Sequence, residues 1–425
     1  MKHWLTHFFA KHRLFRVLEL AYTGGAVVLA RVASIFSLIY AARLMEPKEY
    51  AGLVYAIGLS QIIVHLGSLG WFNLIRKESS RFEFHSAALV KGFIIRSFQL
   101  PVFSILFVVV FIGLILCLGS VPAPISIAVV YALILSAPLL LVQILREYMV
   151  SYKSPVASVV LSETVPLMVM LLLFVALKIE TMGAAIACVF VSQIFGLLLQ
   201  IYVMMPYFKE AYTNRHIEYR TVEWAKLAGL TVIGYGGRLL MDRMDTLMIA
   251  PMVGMEKMAI FNSTSKIAAV VLLMSIVLIQ FYSPHVARAF RVSDSESLRK
   301  IICRQMLLIT LALFPVVMVL FLYPVDVMVF IFGARYQEGA NILWLSVISN
   351  ILLAYALPFS SFLLMADGER AYAAASFLGL VVYAILCWIL IPLNGIYGAS
   401  ISLLIATVIM FIFLIKPALS KMQVI

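Results

Sequence analysis

The sequence predicts an all-α protein whose helices cross a membrane many times. Of its 425 residues, 64% are hydrophobic and only 12% are charged, whereas a soluble globular protein is about 45–50% apolar and about 25% charged. The apolar residues also form runs of roughly 20, the length that spans a bilayer as a helix. So few polar groups exclude a soluble enzyme, and the same figures exclude a disordered chain.

The sequence contains twelve such runs, which predict twelve transmembrane helices. They cover residues 20–43, 50–74, 93–118, 124–145, 156–177, 183–206, 225–251, 258–283, 302–323, 340–365, 371–392 and 396–415. The apolar piece at 326–332 is too short to span the bilayer, and we expect an interfacial turn there that leads to Gly333.

The positions of the charges predict the orientation. The chain has 32 Lys and Arg against 20 Asp and Glu, a net charge of +12. With a cytoplasmic N-terminus, the outer loops receive few cations, which are Arg43, Lys48, Lys178, Lys257 and Arg335. The positive-inside rule therefore places both termini in the cytoplasm. The basic clusters are topology signals and contacts for membrane lipids, and we expect no nucleic-acid partner.

The two halves of the chain repeat. Residues 177–199 are similar to 391–413, and residues 45–55 to 253–263, in each case about half the chain apart. Six helices per copy keep both copies in the same orientation, which predicts parallel repeats with the transport path between them. The predicted domains are a six-helix bundle at 1–208, a cytoplasmic linker at 209–223 and a second bundle at 224–425.

Five fragments in this order resemble the polysaccharide (O-antigen repeat-unit) flippase family of the multidrug/oligosaccharidyl-lipid/polysaccharide (MOP) exporter superfamily. They are ARVASIFSLIYAARLMEPKE (30–49), GSLGWFNLIR (67–76), RLLMDRMDTLMIAPMVG (238–254), FGARY (332–336) and LIPLNGIYGA (390–399). The resemblance implies a MOP/MATE-like fold in the bacterial inner membrane. It also implies transport of an oligosaccharide on an undecaprenyl diphosphate carrier, with the pathway's polymerase and chain-length regulator as further partners. The first outer turn, with Glu46, Pro47 and Lys48 where the family often has Gly, departs from its pattern.

Seven Lys, Arg, Asp and Glu side chains lie inside the predicted spans and more than three residues from either end. A charge at a helix centre costs about 2.5–3.5 kcal/mol on insertion scales, so each marks a candidate functional position. They are Arg31, Glu163, Arg238, Asp242, Arg243, Asp245 and Lys266. Arg31 lies twelve residues from both Glu19 and Arg43, about 18 Å from either end and near the membrane midplane.

Helical periodicity predicts which of these side chains lie on the same face of a helix. On an unbroken helix, Arg238, Asp242 and Asp245 share one stripe and Arg243 points away from it. In the resembling family, the first two helices of each half line a central cavity. The predicted substrate-binding residues are therefore Arg31, Arg238, Lys266, Asn262 and Gln61. The predicted groups for ion coupling are Asp242, Asp245 and Glu163.

Structural explanations for the same charges stay open. Arg238 and Asp242 have the i,i+4 spacing of a helical ion pair, and Lys266 would neutralise an acid of the seventh span. Glu163 would be protonated, or would pair with a cation elsewhere. Under these explanations the charges neutralise one another and bind nothing.

The residues favour a flippase that works by alternating access and is not an enzyme. Arg can hold two oxygens of a diphosphate at once, which suits an anionic headgroup. An ion-coupled multidrug antiporter of the same superfamily is the nearest alternative, and a membrane polysaccharide polymerase is a more distant one. We expect no cofactor, because no ATP-binding motif is present, and no metal site, because the four cysteines lack ligand spacing. The energy source stays open between an ion gradient and pull by downstream polymerisation.

Overall fold

The computed structural model describes residues 25–79, 86–118, 122–152, 154–212, 216–291, 295–366 and 368–424. In the first half, α1 covers Gly25–Leu44, α2 Pro47–Gly67, α3 Trp71–Ser79, α4 Ala87–Leu118 and α5 Ala123–Tyr152. Next come α6 (Pro155–Val159), a π-helical segment (Val160–Thr164), α7 (Val165–Leu177) and α8 (Met182–Tyr212). The predicted cytoplasmic N-terminal tail lies outside these residues.

The second half is also helical wherever it is described. It contains α9 (Thr221–Met241), α10 (Met244–Val253), α11 (Met255–Ala268), α12 (Val270–Arg291), α13 (Ser295–Leu322), α14 (Pro324–Phe332), a 3₁₀ turn (Ala334–Gly339), α15 (Ala340–Met365) and α16 (Glu369–Val424). We call the membrane side at Gly67 and Thr221 the inner side and the side at Met45 and Gly254 the outer side. These names follow the predicted orientation.

Within the described residues, ten helices are long and apolar enough to cross a bilayer. The difference from twelve arises partly at α16, which holds both of the last predicted spans. A straight helix of its 56 residues would measure about 84 Å, against about 30 Å of hydrocarbon. The non-helical Gly395, with φ 56° and ψ −133°, interrupts it. The total of twelve, and the domain boundary at 209–223, stay predictions.

Two predicted spans are interrupted by residues with non-helical backbone angles, whereas the division of 258–283 at Ala269 keeps helical angles. The span at 50–74 ends as α2 at Gly67, and a turn with positive φ at Leu69 (51°) and Gly70 (81°) leads into α3. The span at 225–251 is broken at Asp242 and Arg243 into α9 and α10. The short helix α14, which ends at Gly333, confirms that residues 326–332 do not form a span of their own.

The two halves pack together on both sides of the molecule. On the outer side, Tyr50 of α2 is fully buried, and its ring meets that of Tyr336 edge-on at 6.0 Å. On the inner side, the Phe93 ring lies 5.7 Å from Trp71 and 5.1 Å from Trp224 of α9. Aromatic packing thus joins α3 and α4 to the first helix of the second half. α2 contacts α5, α10 and α11 and runs through the centre of the molecule.

Candidate functional site in the centre of the helix bundle

The break between α9 and α10 places charged groups in the middle of the molecule. Arg243 precedes α10 with φ −129° and ψ −5°, outside the helical region. Asp245 lies in the first turn of α10, where its Oδ1 accepts from the backbone N–H of Thr246 (2.6 Å) and from the Thr246 hydroxyl (3.2 Å). A carboxylate at a helix N-terminus is stabilised by the free N–H groups and the helix dipole.

Arg243 is the candidate site residue that periodicity missed. Its Nη2 donates to Oε1 of Gln61 on α2 at 2.6 Å, a contact that joins the second half to the first. On an unbroken helix this side chain would point away from Asp242 and Asp245. The break changes the direction of the chain, so the expectation that Arg243 lies apart was wrong. Two adjacent charges inside an apolar span were the sequence signal for the break.

Five ionisable side chains from three helical regions form what we call the central charge cluster: Arg31, Asp242, Arg243, Asp245 and Lys266. The charges of the first four all act on the Lys266 ammonium. Arg31 of α1 and the charges at the α9–α10 break are therefore close enough to Lys266 of α11 to influence it electrostatically. The cluster has three cations and two acids, so it suits an anionic ligand better than a cationic one.

An apolar cleft of about 790 Å³ begins at Lys266. It is lined by Ile35, Ile39, Lys266, Ile267, Val270, Pro315, Val316, Val319, Leu320, Tyr323, Asp326, Val327, Phe330, Ile331 and Phe332. These residues belong to α1, α11, α12, α13 and α14, with Tyr323 between the last two, and the cleft runs from the midplane toward the outer side. Val319, Tyr323 and Phe330 of its lining are exposed on the surface of the molecule, so the cleft is open on this side.

The two predicted polar residues of the cavity contact the opposite half. Gln61 accepts the hydrogen bond from Arg243 that is described above. Asn262 is buried on α11, and its Oδ1 accepts from the Tyr50 hydroxyl at 3.3 Å. Asn262 therefore takes part in the packing of α2 against α11 on the outer side of Lys266.

The remaining predicted residues lie elsewhere. Glu163 is in the π-helical segment of the first half, where its Oε1 is 2.5 Å from Nη1 of Arg146. The side chain of Arg238 lies outside the described residues, so its predicted pairing with Asp242 has no structural account. No three His, Cys, Asp or Glu side chains of the described segments converge as they would around a metal ion.

Neither a protein-family model nor a curated protein sequence matches the chain. Solved structures match over nearly its whole length. An inward-facing multidrug resistance MATE family transporter of the MOP superfamily has a TM-score of 0.70 at 12% identity, covering 93% of this chain and 96% of that one. The lipid II flippase MurJ, in an inward closed conformation, has a TM-score of 0.68 at 14% identity, covering 94% and 89%.

A third match is a MOP superfamily transporter from Pyrococcus furiosus whose reversed binding-pocket polarity suggests a different function. Its TM-score is 0.64 at 15% identity, and 95% of each chain is covered. The fold of this chain is therefore that of MOP superfamily transporters, which confirms the predicted fold class. The apolar helices and this fold make the chain a multi-pass membrane protein.

Proposed function

We propose that this chain is a flippase for an anionic lipid-linked oligosaccharide. The substrate is an undecaprenyl-diphosphate-linked repeat unit of O-antigen, capsule or exopolysaccharide. The protein moves it from the cytoplasmic to the outer leaflet of the bacterial inner membrane by alternating access. The pathway's polymerase and chain-length regulator are the proposed protein partners.

The observation that carries this proposal is that Lys266 lies at two features of the site at once. This side chain belongs to the central charge cluster and also lines the apolar cleft. A diphosphate on a hydrocarbon carrier needs cations beside an apolar opening, and this geometry supplies both. Ile35 lies one helical turn from Arg31 on α1, so the cleft wall and the cluster share a face of that helix.

The charge balance of the cluster supports an anionic substrate over a cationic drug. Three cations would hold the diphosphate, and Arg31 and Arg243 offer planar forks that can each bond two phosphate oxygens. The cleft gives the hydrocarbon tail a place in the outer half of the membrane while the headgroup is still at the midplane. The acidic side chains that would couple transport to an ion gradient are Asp242, Asp245 and Glu163.

A leaflet assay in proteoliposomes tests the proposal. The probe is a polyprenyl-diphosphate oligosaccharide with a fluorescent sugar, and a membrane-impermeant quencher reports which leaflet holds it. We expect transport by the native chain and a tenfold or greater loss in Lys266→Gln, because a hydrogen bond to a charged group contributes about 1.5–3 kcal/mol. Lys257→Gln is the matched control, since Lys257 lies on the same helix and pairs with Glu338 at 2.5 Å on the outer side.

Two results would contradict the proposal. One is transport that the Lys266 and Lys257 variants support equally well. The other is ion-gradient-driven efflux of a cationic drug from the same vesicles with no movement of the lipid probe, which would favour the multidrug antiporter.

A further inference from the structure

A second pair of charges lies on the inner side of the central charge cluster. Nη1 of Arg146 on α5 is 2.5 Å from Oε1 of Glu163, and the two side chains are 24% and 19% exposed. Arg146 is six residues from the inner end of α5 at Tyr152, about 9 Å along the helix axis. Glu163 is eight residues from Pro155, about 12 Å deep. Arg146 lies one residue beyond the predicted span 124–145, and both residues belong to helices long and apolar enough to cross the bilayer, so the pair is at the inner end of the membrane-spanning part.

The pair faces the interior of the bundle. Charges exposed to hydrocarbon at this depth would be costly, so partly exposed ones face a polar, hydrated space. The charges of Arg146, Glu147 and Arg243 all act on the His65 ring of α2. His65 is also one turn from Gln61, which holds Arg243. The polar face of α2 thus runs from the Arg146–Glu163 pair to the central charge cluster.

The neighbouring arginine is held differently. Arg76 makes a two-point contact with Glu147, with distances of 2.6 and 2.8 Å from Nε and Nη2 to the two carboxylate oxygens. The Arg146–Glu163 ion pair is formed at Nη1, and no two-point hydrogen bond joins these two side chains among the described residues. A one-point contact leaves the other donors of this guanidinium for another acceptor, and a diphosphate would offer several oxygens to them.

The backbone around Glu163 is also unusual. Residues Val160–Thr164 form a π-helical segment, a feature that occurs often at functional sites. Neighbouring side chains fix this segment from two sides. The Ser158 hydroxyl donates to the Arg146 carbonyl at 2.9 Å, and the Thr164 hydroxyl donates to the Ala26 carbonyl of α1 at 3.2 Å. Glu163 is therefore held opposite Arg146 by both α5 and α1.

We propose that Arg146 is the first phosphate-binding residue on the inner side of the transport path and that Glu163 occupies its guanidinium until the substrate arrives. The diphosphate displaces the Glu163 carboxylate from Arg146 and then passes His65 to reach Arg243 and Lys266. This inference rests on the proposed flippase function and assigns its inner binding step.

Binding of farnesyl diphosphate to the purified full-length protein in nanodiscs tests this step. Glu163→Gln keeps the shape of the side chain but removes the competing charge, so we expect Kd to fall several-fold. Arg146→Gln removes the phosphate-binding group, so we expect Kd to rise about tenfold. Arg220→Gln, an exposed inner-side arginine that pairs with the exposed Glu218 at 3.4 Å, is the control and should leave Kd unchanged.

The two variants are expected to change Kd in opposite directions, which distinguishes a binding role from a structural one. If Arg146 and Glu163 only stabilise the fold, both variants should weaken binding or neither should change it, and either result overturns the proposal. The Lys266→Gln variant distinguishes failure of this binding step from failure of the proposed function. Binding that depends on Lys266 but not on Arg146 refutes this step alone, whereas native protein that binds no diphosphate lipid refutes both.

Discussion

At the scale of single residues, the charged side chains inside apolar spans were the most informative feature of the sequence, because burying a charge is costly. It selected seven side chains, and five of them form the central charge cluster, in which the other four influence Lys266. The same argument could not choose the partners of these charges, because pairing depends on which helices touch. Arg243 shows the limit, since its contact with Gln61 lies across the two halves, 182 positions away in the chain.

Arg243 should contribute to substrate binding through its positive charge and through its planar guanidinium group, which can bond two oxygens at once. We expect Arg243→Gln to weaken binding of a diphosphate lipid by tenfold or more, because a charged hydrogen bond contributes about 1.5–3 kcal/mol. Arg243→Lys keeps the charge and should recover only part of the affinity. The measurement is the Kd for farnesyl diphosphate in nanodiscs. Arg335→Gln on the exposed 3₁₀ turn is the control, and an equal effect of both glutamine variants would refute the assignment.

At the scale of helices, the sequence located the apolar runs but not their interruptions. Hydropathy predicts where a helix is long enough to span, and the described helices follow those runs closely. It does not register a break that tertiary contacts stabilise, such as the one at Asp242 and Arg243, where Gln61 of another helix supplies the hydrogen bond. The π-helical segment at Val160–Thr164 was equally invisible, because hydropathy does not distinguish a π turn from an α turn.

The turn inside α16 depends on one glycine. Gly395 has φ 56° and ψ −133°, a conformation that costs a residue with a Cβ about 1–3 kcal/mol. The nearest atom to an added Cβ would be a Val253 methyl at 3.8 Å, so Gly395→Ala tests backbone strain without a clash. We expect a lower midpoint of thermal unfolding in detergent. Gly113→Ala, in α4 with nothing within 4 Å, should not lower it, and an unchanged midpoint in Gly395→Ala would contradict the strained turn.

At the scale of the whole molecule, contacts on the outer side hold the two halves together. Nε of Arg43 on α1 donates to the Ile331 carbonyl at 2.8 Å, and its Nη2 donates to the Phe330 carbonyl. These are the last carbonyls of α14, which lack partners within their own helix. Together with Tyr50 and Asn262, Arg43 forms contacts that alternating access would have to break as the outer side opens.

Loss of the Arg43 contact should favour opening of the outer side. In a background without native cysteines, the buried Asn262→Cys thiol reports this opening through its labelling by a membrane-impermeant maleimide. We expect Arg43→Ala to raise the labelling rate several-fold. Lys257→Ala removes an outer-side ion pair within one half and should leave that rate unchanged. Equal labelling in both backgrounds would show that Arg43 does not hold the outer side closed.

The central claim is that a diphosphate lies at Lys266 with its hydrocarbon tail in the adjoining cleft. Photo-crosslinking measures this most directly, with a polyprenyl diphosphate that carries a photoreactive group near its headgroup. Mass spectrometry should then find labels on cleft residues such as Val319 and Phe330, and Lys266→Gln should remove them. Labels spread equally over the lipid-facing Phe107 and Phe111 of α4, and unchanged by Lys266→Gln, would contradict the claim.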